Sequence, residues 1–431
     1  MKSSQISKFY QLNRLERLNL LKQHQFLTDK IYKYLEEVQL LDSDVAEHLI
    51  ENQITQYPLP EGVALNFLID GKDYVIPMVT EEPSVIAACS YGAKLARDLG
   101  GFQTVNQKRH MIGQLVFQEV VDWQTSLKAI EEQKEALIQY GNTCHPSIVK
   151  RGGGVIDLSA KLLENEQGNV EFLTVYVTID VKEAMGANII NTILEGMSAK
   201  ISSLVSGDNL LAILSNYSTE SLVTVTTQIP FESLKTNDLS GQQVACRIEQ
   251  ATKYAHLDPY RAVTHNKGIL NGVDGVVLAT GNDWRAVEAG VHAYASRLGR
   301  YQSLTDWQGD ETNQCLIGSL TLPLHLGTVG GAISVLPGAQ ANLALLGNPT
   351  GEKLASIVAS VGLAQNLAAL KALVSEGIQK GHMGLQARSL AISVGAKEEE
   401  IEAVAKELRQ VKQMNVQTAE ELLTKIRCDK K

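Results

Sequence analysis

Between residues 110 and 230 the apolar spacing alternates between period two and helical periodicity, and the order of these runs constrains the fold more than any other feature of the chain. "HMIGQLVFQEV" predicts a strand and "QTSLKAIEEQKEALIQYG" a helix. Two further strands, "GVIDLSAKLL" and "VEFLTVYVTID", precede the helix "EAMGANIINTILEGMSAKISSLV" and the strand "LVTVTTQIP". A β-α-β-β-α-β unit of about one hundred residues can close on itself as a small sandwich of sheet and helices. It is expected as an insertion, because helical and strand patterns of another kind flank it on both sides.

Residues 1–56 carry Leu, Ile and Tyr at helical spacing among charges. "ALNFLIDGKDYVIPMV" reads as a hairpin turning at Asp70-Gly71, and a small-residue helix, "SVIAACSYGAKLARDL", follows. In "THNKGILNGVDGVVLATGNDWRAVEAG" the glycine-rich "THNKG" reads as a turn, "GVVLAT" as a buried strand and Asp283 as the opening of a helix. "CLIGSLTLPLHLG" is another strand, long apolar helices occupy 337–376, and a charged amphipathic tail ends the chain. The predicted class is α+β. Residues 1–109 and 223–376 form a helix-rich α/β large domain, 110–222 a ferredoxin-like small domain, and 377–431 a C-terminal helical cap.

The 431 residues carry 39 Lys and Arg against 48 Asp and Glu, a net charge of −9. A phosphate-binding face needs excess positive charge, so nucleic acid is not an expected partner. The five cysteines are scattered without a CxxC pair, which predicts free thiols in a reducing cytoplasm and no metal site. No run approaches ~20 consecutive apolar residues, so no membrane partner is expected. "RGGGVID" and "GNPTGEK" miss the spacing of the dinucleotide and P-loop motifs.

Four places could carry chemistry. Ala184, Gly186 and Ala187 at the start of a helix would let an anion approach free backbone N–H groups, or simply pack tightly. Lys267 could reach into a cleft and polarise a carbonyl, with Asp283 holding its ammonium; equally, Lys267 is a solvated turn residue and Asp283 a helix N-cap. Glu82, beside Glu81 before an apolar helix, would hold a proton towards neutral pH if half buried, or merely favour the helix dipole. His382 stands between glycines at the start of the tail, as a hinge group or a surface one.

Several stretches together resemble the soluble, class II form of 3-hydroxy-3-methylglutaryl-CoA (HMG-CoA) reductase. They are "ENQI" at 51–54, "EEPSVIAA" at 81–88, "DVKEAMGAN" at 180–188, "ILSN" at 213–216, "THNKGILNG", "GNDWRAVEAG" and "GLAQNLAALKALVSEGIQKGHMGLQAR". The resemblance runs along essentially the whole chain. It implies reduction of HMG-CoA by two reduced nicotinamides to mevalonate and free CoA, in the mevalonate route to isoprenoids. It places catalysis on Glu82, Lys267, Asp283 and His382, and substrate binding on Glu51, Asn52, Ser84, Arg261 and Asn271. The cofactor side falls on His145, Glu183, Met185, Gly186, Asn188, Asn216 and Gln365. Thr55 departs from the family, which usually has glycine after the "ENQI" quartet.

NADH-using relatives carry an aspartate shortly before the GGG run, where this chain has His145, with Lys150 and Arg151 close by. A carboxylate would repel a ribose 2′-phosphate and basic side chains would pair it, so NADPH is expected to be preferred, with NADH accepted. The resemblance also implies a homodimer with active sites at the subunit interface, and leaves higher assembly open. Two competing readings remain at this level. One is a CoA-acylating aldehyde dehydrogenase using Cys89 as nucleophile, and the other a non-catalytic acyl-CoA-binding protein.

Overall fold

The computed structural model describes residues 2–37, 40–375, 377, 387–397, 399–411 and 413–429. Three short helices (Arg14–Gln23, Asp29–Glu37 and Ser43–Leu49) lead into the hairpin of β1 (Glu61–Ile69) and β2 (Lys72–Val79). Its turn residues Asp70 and Gly71 both have positive φ, 49° and 75°. That backbone matches the twist of the flanking strands, and Asp-Gly adopts it at low cost.

β3 (Phe102–Gln107) is followed by the inserted unit: β4 (Met111–Gln118), β5 (Gly154–Glu164), β6 (Val170–Asp180) and β7 (Asp208–Leu214). These four pair antiparallel in the order β5-β6-β4-β7, the ferredoxin-like arrangement. Leu115, Phe117, Val175 and Val177 from the strands meet Ile190, Leu194 and Met197 of helix Ala187–Ser202 in a core of their own. The unit's last strand is β7 and not "LVTVTTQIP". That segment is β8 (Leu222–Pro230), and it pairs with β3 and with the strand Cys315–Pro323 of the other sheet. Alternation marks a strand, but its partner is chosen by long-range packing. Val223, Val225 and Ile229 are buried in the large core.

The larger sheet runs β2-β1-β3-β8-β10-β9, with β9 (Thr305–Asp310) and β10 (Cys315–Pro323) closing it. Here a second expectation is corrected. "THNKG" is not a turn and "GVVLAT" is not a strand, because residues 264–268 and 275–279 lie within one helix, Pro259–Ala279, with Thr280 as its C-cap. Asp258 caps its start by accepting the Arg261 N–H, and Pro259 occupies the first turn, where its missing N–H is harmless. Ile269, Val273, Val276 and Val277 are fully buried, so core packing outweighs the strand preference of β-branched residues.

Helix Gly351–Val374 runs through the middle of the large domain. Its mean hydropathy of 1.6 and its length would suit a membrane span, but 78% of that apolar window is buried inside the protein. A helix apolar on all sides belongs in a core, and this one packs against both Val85–Ala96 and Pro259–Ala279. A Cβ on Gly92 would lie 2.1 Å from the Ala364 carbonyl oxygen, so the glycine sets how closely two helices approach. Beyond it, Ala387, Ala391, Val404, Ala405, Leu408 and Ala419 form a separate small core with helices Glu399–Leu408 and Val416–Asp429.

Candidate active site

The loop after β2 and the middle of helix Pro259–Ala279 bring three predicted residues together. Lys267 and Asn271 lie one turn apart on the same face. The Lys267 ammonium donates to Glu82 Oε2 at 2.7 Å, and Asn271 Nδ2 donates to Glu82 Oε1 at 3.4 Å. The side chains of Lys267 and Glu82 keep 59% and 39% of their surface exposed. An ion pair that open to water adds about 0–1 kcal/mol to stability. Stability therefore does not explain its placement between two elements, whereas access by a ligand does.

Ser84, two residues on, begins helix Val85–Ala96 with φ 77° and without a side-chain capping bond. Serine in the left-handed region costs on the order of 1 kcal/mol or more. Its hydroxyl oxygen is buried and unpartnered within the described residues. Arg261 Nε and Gln365 Oε1 are also buried and unpartnered there, and burial lowers the Arg261 pKa. Gln365 faces the Lys267 helix, since a Cβ on Gly272 would meet its Cβ and Cγ at 3.2 and 3.4 Å. Polar atoms orphaned in this way are costly unless a ligand or water completes them.

Asp283 takes the plainer of its two expected roles. Its Oδ1 caps helix Trp284–Ala295 through the N–H groups of Arg285 and Ala286, both at 3.1 Å, with Arg285 Nε at 3.7 Å. Among the described residues no hydrogen bond or ion pair joins it to Lys267. Glu51 and Asn52 are exposed after helix Ser43–Leu49 and make no hydrogen bond with the Glu82 group. His382 lies outside the described residues.

On the small domain, Gly186 caps helix Ala187–Ser202 with φ 85° and no side-chain cap, leaving first-turn N–H groups free. A Cβ there would strike Val181 at 2.6 Å, so tight packing requires the glycine whether or not an anion binds. Asn188 and Asn216 are exposed. Met185 packs against Gly327, whose own added Cβ would come within 2.8 Å of the Met185 Cγ. Glu183 is engaged by the protein itself: its Oε2 accepts from Gly351 N at 2.5 Å and Thr328 Oγ1 at 3.2 Å, tying this loop to the start of the central helix. His145 Nδ1 lies 3.1 Å from Ser147 Oγ, which also accepts from Arg151 Nη2 at 3.4 Å, and Lys150 is exposed beside them. This free helix start and basic group fit a phosphorylated dinucleotide.

Three groups escaped the sequence reading. Asp274, one turn beyond Asn271, has its pKa pushed up to about 8 by burial and by Glu288. Glu288 in turn pairs with His292 at 2.7 Å. His265, two residues before Lys267, is buried to 1% exposure among polar partners. Only the helical spacing 267, 271, 274 could have signalled Asp274, and a strand reading of that stretch hides it. Cys89 is fully buried and its thiol is pushed far up by desolvation, so it is no nucleophile. That disfavours the acylating dehydrogenase reading.

Comparison with known proteins agrees along the chain. Residues 13–387 match the family described as Hydroxymethylglutaryl-coenzyme A reductase. The chain is 41% identical over 425 residues to the 3-hydroxy-3-methylglutaryl-coenzyme A reductase of Archaeoglobus fulgidus, covering 99% of this chain and 95% of that one. A probable enzyme of the same name from Borreliella burgdorferi is 33% identical over 81% of this chain and 79% of its own. The class II 3-hydroxy-3-methylglutaryl-CoA reductase of Streptococcus pneumoniae, solved bound to NADPH in open conformations, superposes with a TM-score of 0.82 at 44% identity. That superposition covers 96% of this chain and 100% of the other. With the fold, the sequence and the motif order in agreement over nearly the full length, the chain belongs to the hydroxymethylglutaryl-coenzyme A reductase family.

Proposed function

We propose that the Glu82, Lys267 and Asn271 group is the reaction centre for this family's reduction of HMG-CoA. The balanced reaction takes HMG-CoA, two NADPH and two protons to mevalonate, free CoA and two NADP⁺. The observation that carries the assignment is one carboxylate bridging an ammonium and an amide at an open site. Bound nicotinamide supplies the two hydride equivalents. Lys267 holds the thioester oxygen as it becomes negative, a fixed charge acting where charge develops. Glu82, oriented by Lys267 and Asn271, takes up one of the two protons of the balanced reaction and passes it to the second alkoxide. His382 protonates the departing CoA thiolate, a task suited to an imidazolium because the conjugate thiol has a pKa near ~8.5. Asp283 acts as the electrostatic partner of Lys267 once its side chain turns away from the helix cap. Ser84, Arg261 and Asn271, with Glu51 and Asn52, hold the HMG portion.

The cofactor lies along Met185, Gly186, Asn188 and Asn216, with Gln365 near the nicotinamide and Glu183 shaping the loop from beneath. His145, with Arg151 and Lys150, favours NADPH over NADH. We place the protein in the cytoplasm as a homodimer. Ile54 and Tyr57, 94% and 88% exposed beside the Glu51 segment, support a second copy covering that side.

The test is HMG-CoA-dependent oxidation of NADPH and NADH in parallel, with mevalonate identified as product. Lys267→Ala is expected to lower kcat by about 10³-fold while CoA and mevalonate still bind. Normal turnover in that variant removes the role assigned to Lys267. A higher kcat/KM with NADH removes the cofactor preference.

A further inference from the structure

A one-way chain of hydrogen bonds ends at His265. Trp307 Nε1 can only donate, and it does so to Asn366 Oδ1 at 2.8 Å. The amide orientation of Asn366 is thereby set, and its Nδ2 faces His265 Nε2 at 3.0 Å. Nε2 must therefore accept; Thr305 Oγ1 lies 2.6 Å from the same nitrogen and 3.1 Å from Asn366 Oδ1, and with Trp307 already supplying that oxygen its one hydroxyl proton goes to the nearer Nε2. In a neutral ring the proton then sits on Nδ1. That nitrogen is buried and has no partner among the described residues. Burial and the nearby Arg261 charge push the His265 pKa down to about 3, so the ring stays neutral.

Arg261 lies one helical turn before His265, and its Nε is the other unpartnered buried donor on this stretch. Side chains on a helix lean towards its N-terminus, which carries the His265 ring over the Arg261 turn. Gln365, with its own unpartnered oxygen, neighbours Asn366 on the central helix. Two orphan donors one turn apart on the helix call for an acceptor oxygen that none of the described residues provides.

We propose that His265 is a substrate-binding residue whose Nδ1–H, aimed by the Trp307–Asn366 relay, donates beside Arg261 to the free carboxylate of the substrate. The proposal rests on the reading that this site takes HMG-CoA. A neutral donor held in one tautomer contributes affinity and direction without adding a second charge beside Arg261, so its loss is felt in substrate binding more than in the chemical step.

The experiment compares competitive inhibition by mevalonate, which keeps the carboxylate, with inhibition by free CoA, which lacks it. His265→Phe is expected to raise the mevalonate inhibition constant about tenfold, as for loss of a hydrogen bond to a charged acceptor, with the CoA constant unchanged within about twofold. His265→Asn, which returns an amide N–H near the Nδ1 position, recovers much of the loss. An unchanged mevalonate constant, or equal rises for mevalonate and CoA, overturns the proposal. Failure of mevalonate and CoA to inhibit the wild-type enzyme overturns the HMG-CoA reading and this proposal with it. Should His265→Phe not fold, ¹⁵N-histidine NMR on the wild-type protein decides, with the ring assigned through His265→Asn. A protonated Nδ1 whose resonance moves on mevalonate addition supports the proposal. An Nε2–H tautomer, or a resonance that mevalonate leaves in place, overturns it.

Discussion

Asp274→Asn should change how this fold responds to pH. Asp274 faces Glu288 of helix Trp284–Ala295, and burial together with that neighbour raises its pKa from 3.8 to about 8. The surrounding titratable groups are Glu288 itself, His292 at 2.7 Å from it, the Tyr301 hydroxyl 2.7 Å from His292, and Lys267 two turns away on the same helix. Between pH 4 and 8 the folded chain keeps a proton that the unfolded chain releases. Stability must then fall as pH rises through that window, and the loss is complete above pH 8. The slope is about 1.4 kcal/mol per pH unit. Over about four units this sets a ceiling near ~6 kcal/mol, which partial exposure of Asp274 and proton sharing with Glu288 reduce to about 2–4 kcal/mol. Asparagine has nearly the shape of the protonated acid and cannot ionise, so it removes the dependence. At about 2.1 cal/mol/K per residue, the unfolding entropy of a chain this long turns that difference into about 2–4 °C of Tm. Melting wild type and Asp274→Asn from pH 5 to pH 9 should show the variant gaining on wild type steadily up to pH 8 and no further. Parallel curves, or a gap widest at pH 5, would refute the reasoning.

Two further substitutions separate structure from function. Ser84→Gly relieves a left-handed backbone and should stabilise the protein by about 1 kcal/mol. It should also raise KM for HMG-CoA about tenfold, as expected for loss of one hydroxyl from a binding site. A lower Tm with unchanged KM would show that the strain serves no ligand. Gly92→Ala forces a Cβ to 2.1 Å from the Ala364 carbonyl between two core helices. Thermal melting should show a loss of about 2–4 kcal/mol, with KM for both substrates unaffected in whatever protein folds.

Local chemistry wrote part of this protein plainly into the sequence. Asp70-Gly71 announces its hairpin because few residue pairs adopt that turn, and Asp283 before an apolar-periodic run announces a helix start. The inserted unit was legible through its second helix because each element alternates on its own period, whereas its last strand, Asp208–Leu214, was not. Glu82 and Lys267 by themselves read equally as chemistry or as an ordinary helix start and turn, and it is the family resemblance that assigns them, with Asn271, to one site.

Tertiary structure decided the rest, since the same local pattern is compatible with more than one partner. "LVTVTTQIP" reads as a strand in any setting, and only the cores competing for its valines place it in the large sheet. "GVVLAT" favours a strand by propensity, yet burial of Val273, Val276 and Val277 against the central helix makes it helical. That change of period puts Lys267, Asn271 and Asp274 on one face. His265 looked like a neighbour of the lysine, and its direction became visible only when Trp307, 42 residues further on, was found to start the relay through Asn366. Spacing along the chain specifies period and turn. Which face meets which, and therefore where a donor is left without an acceptor, depends on residues far apart in sequence packing around a shared core.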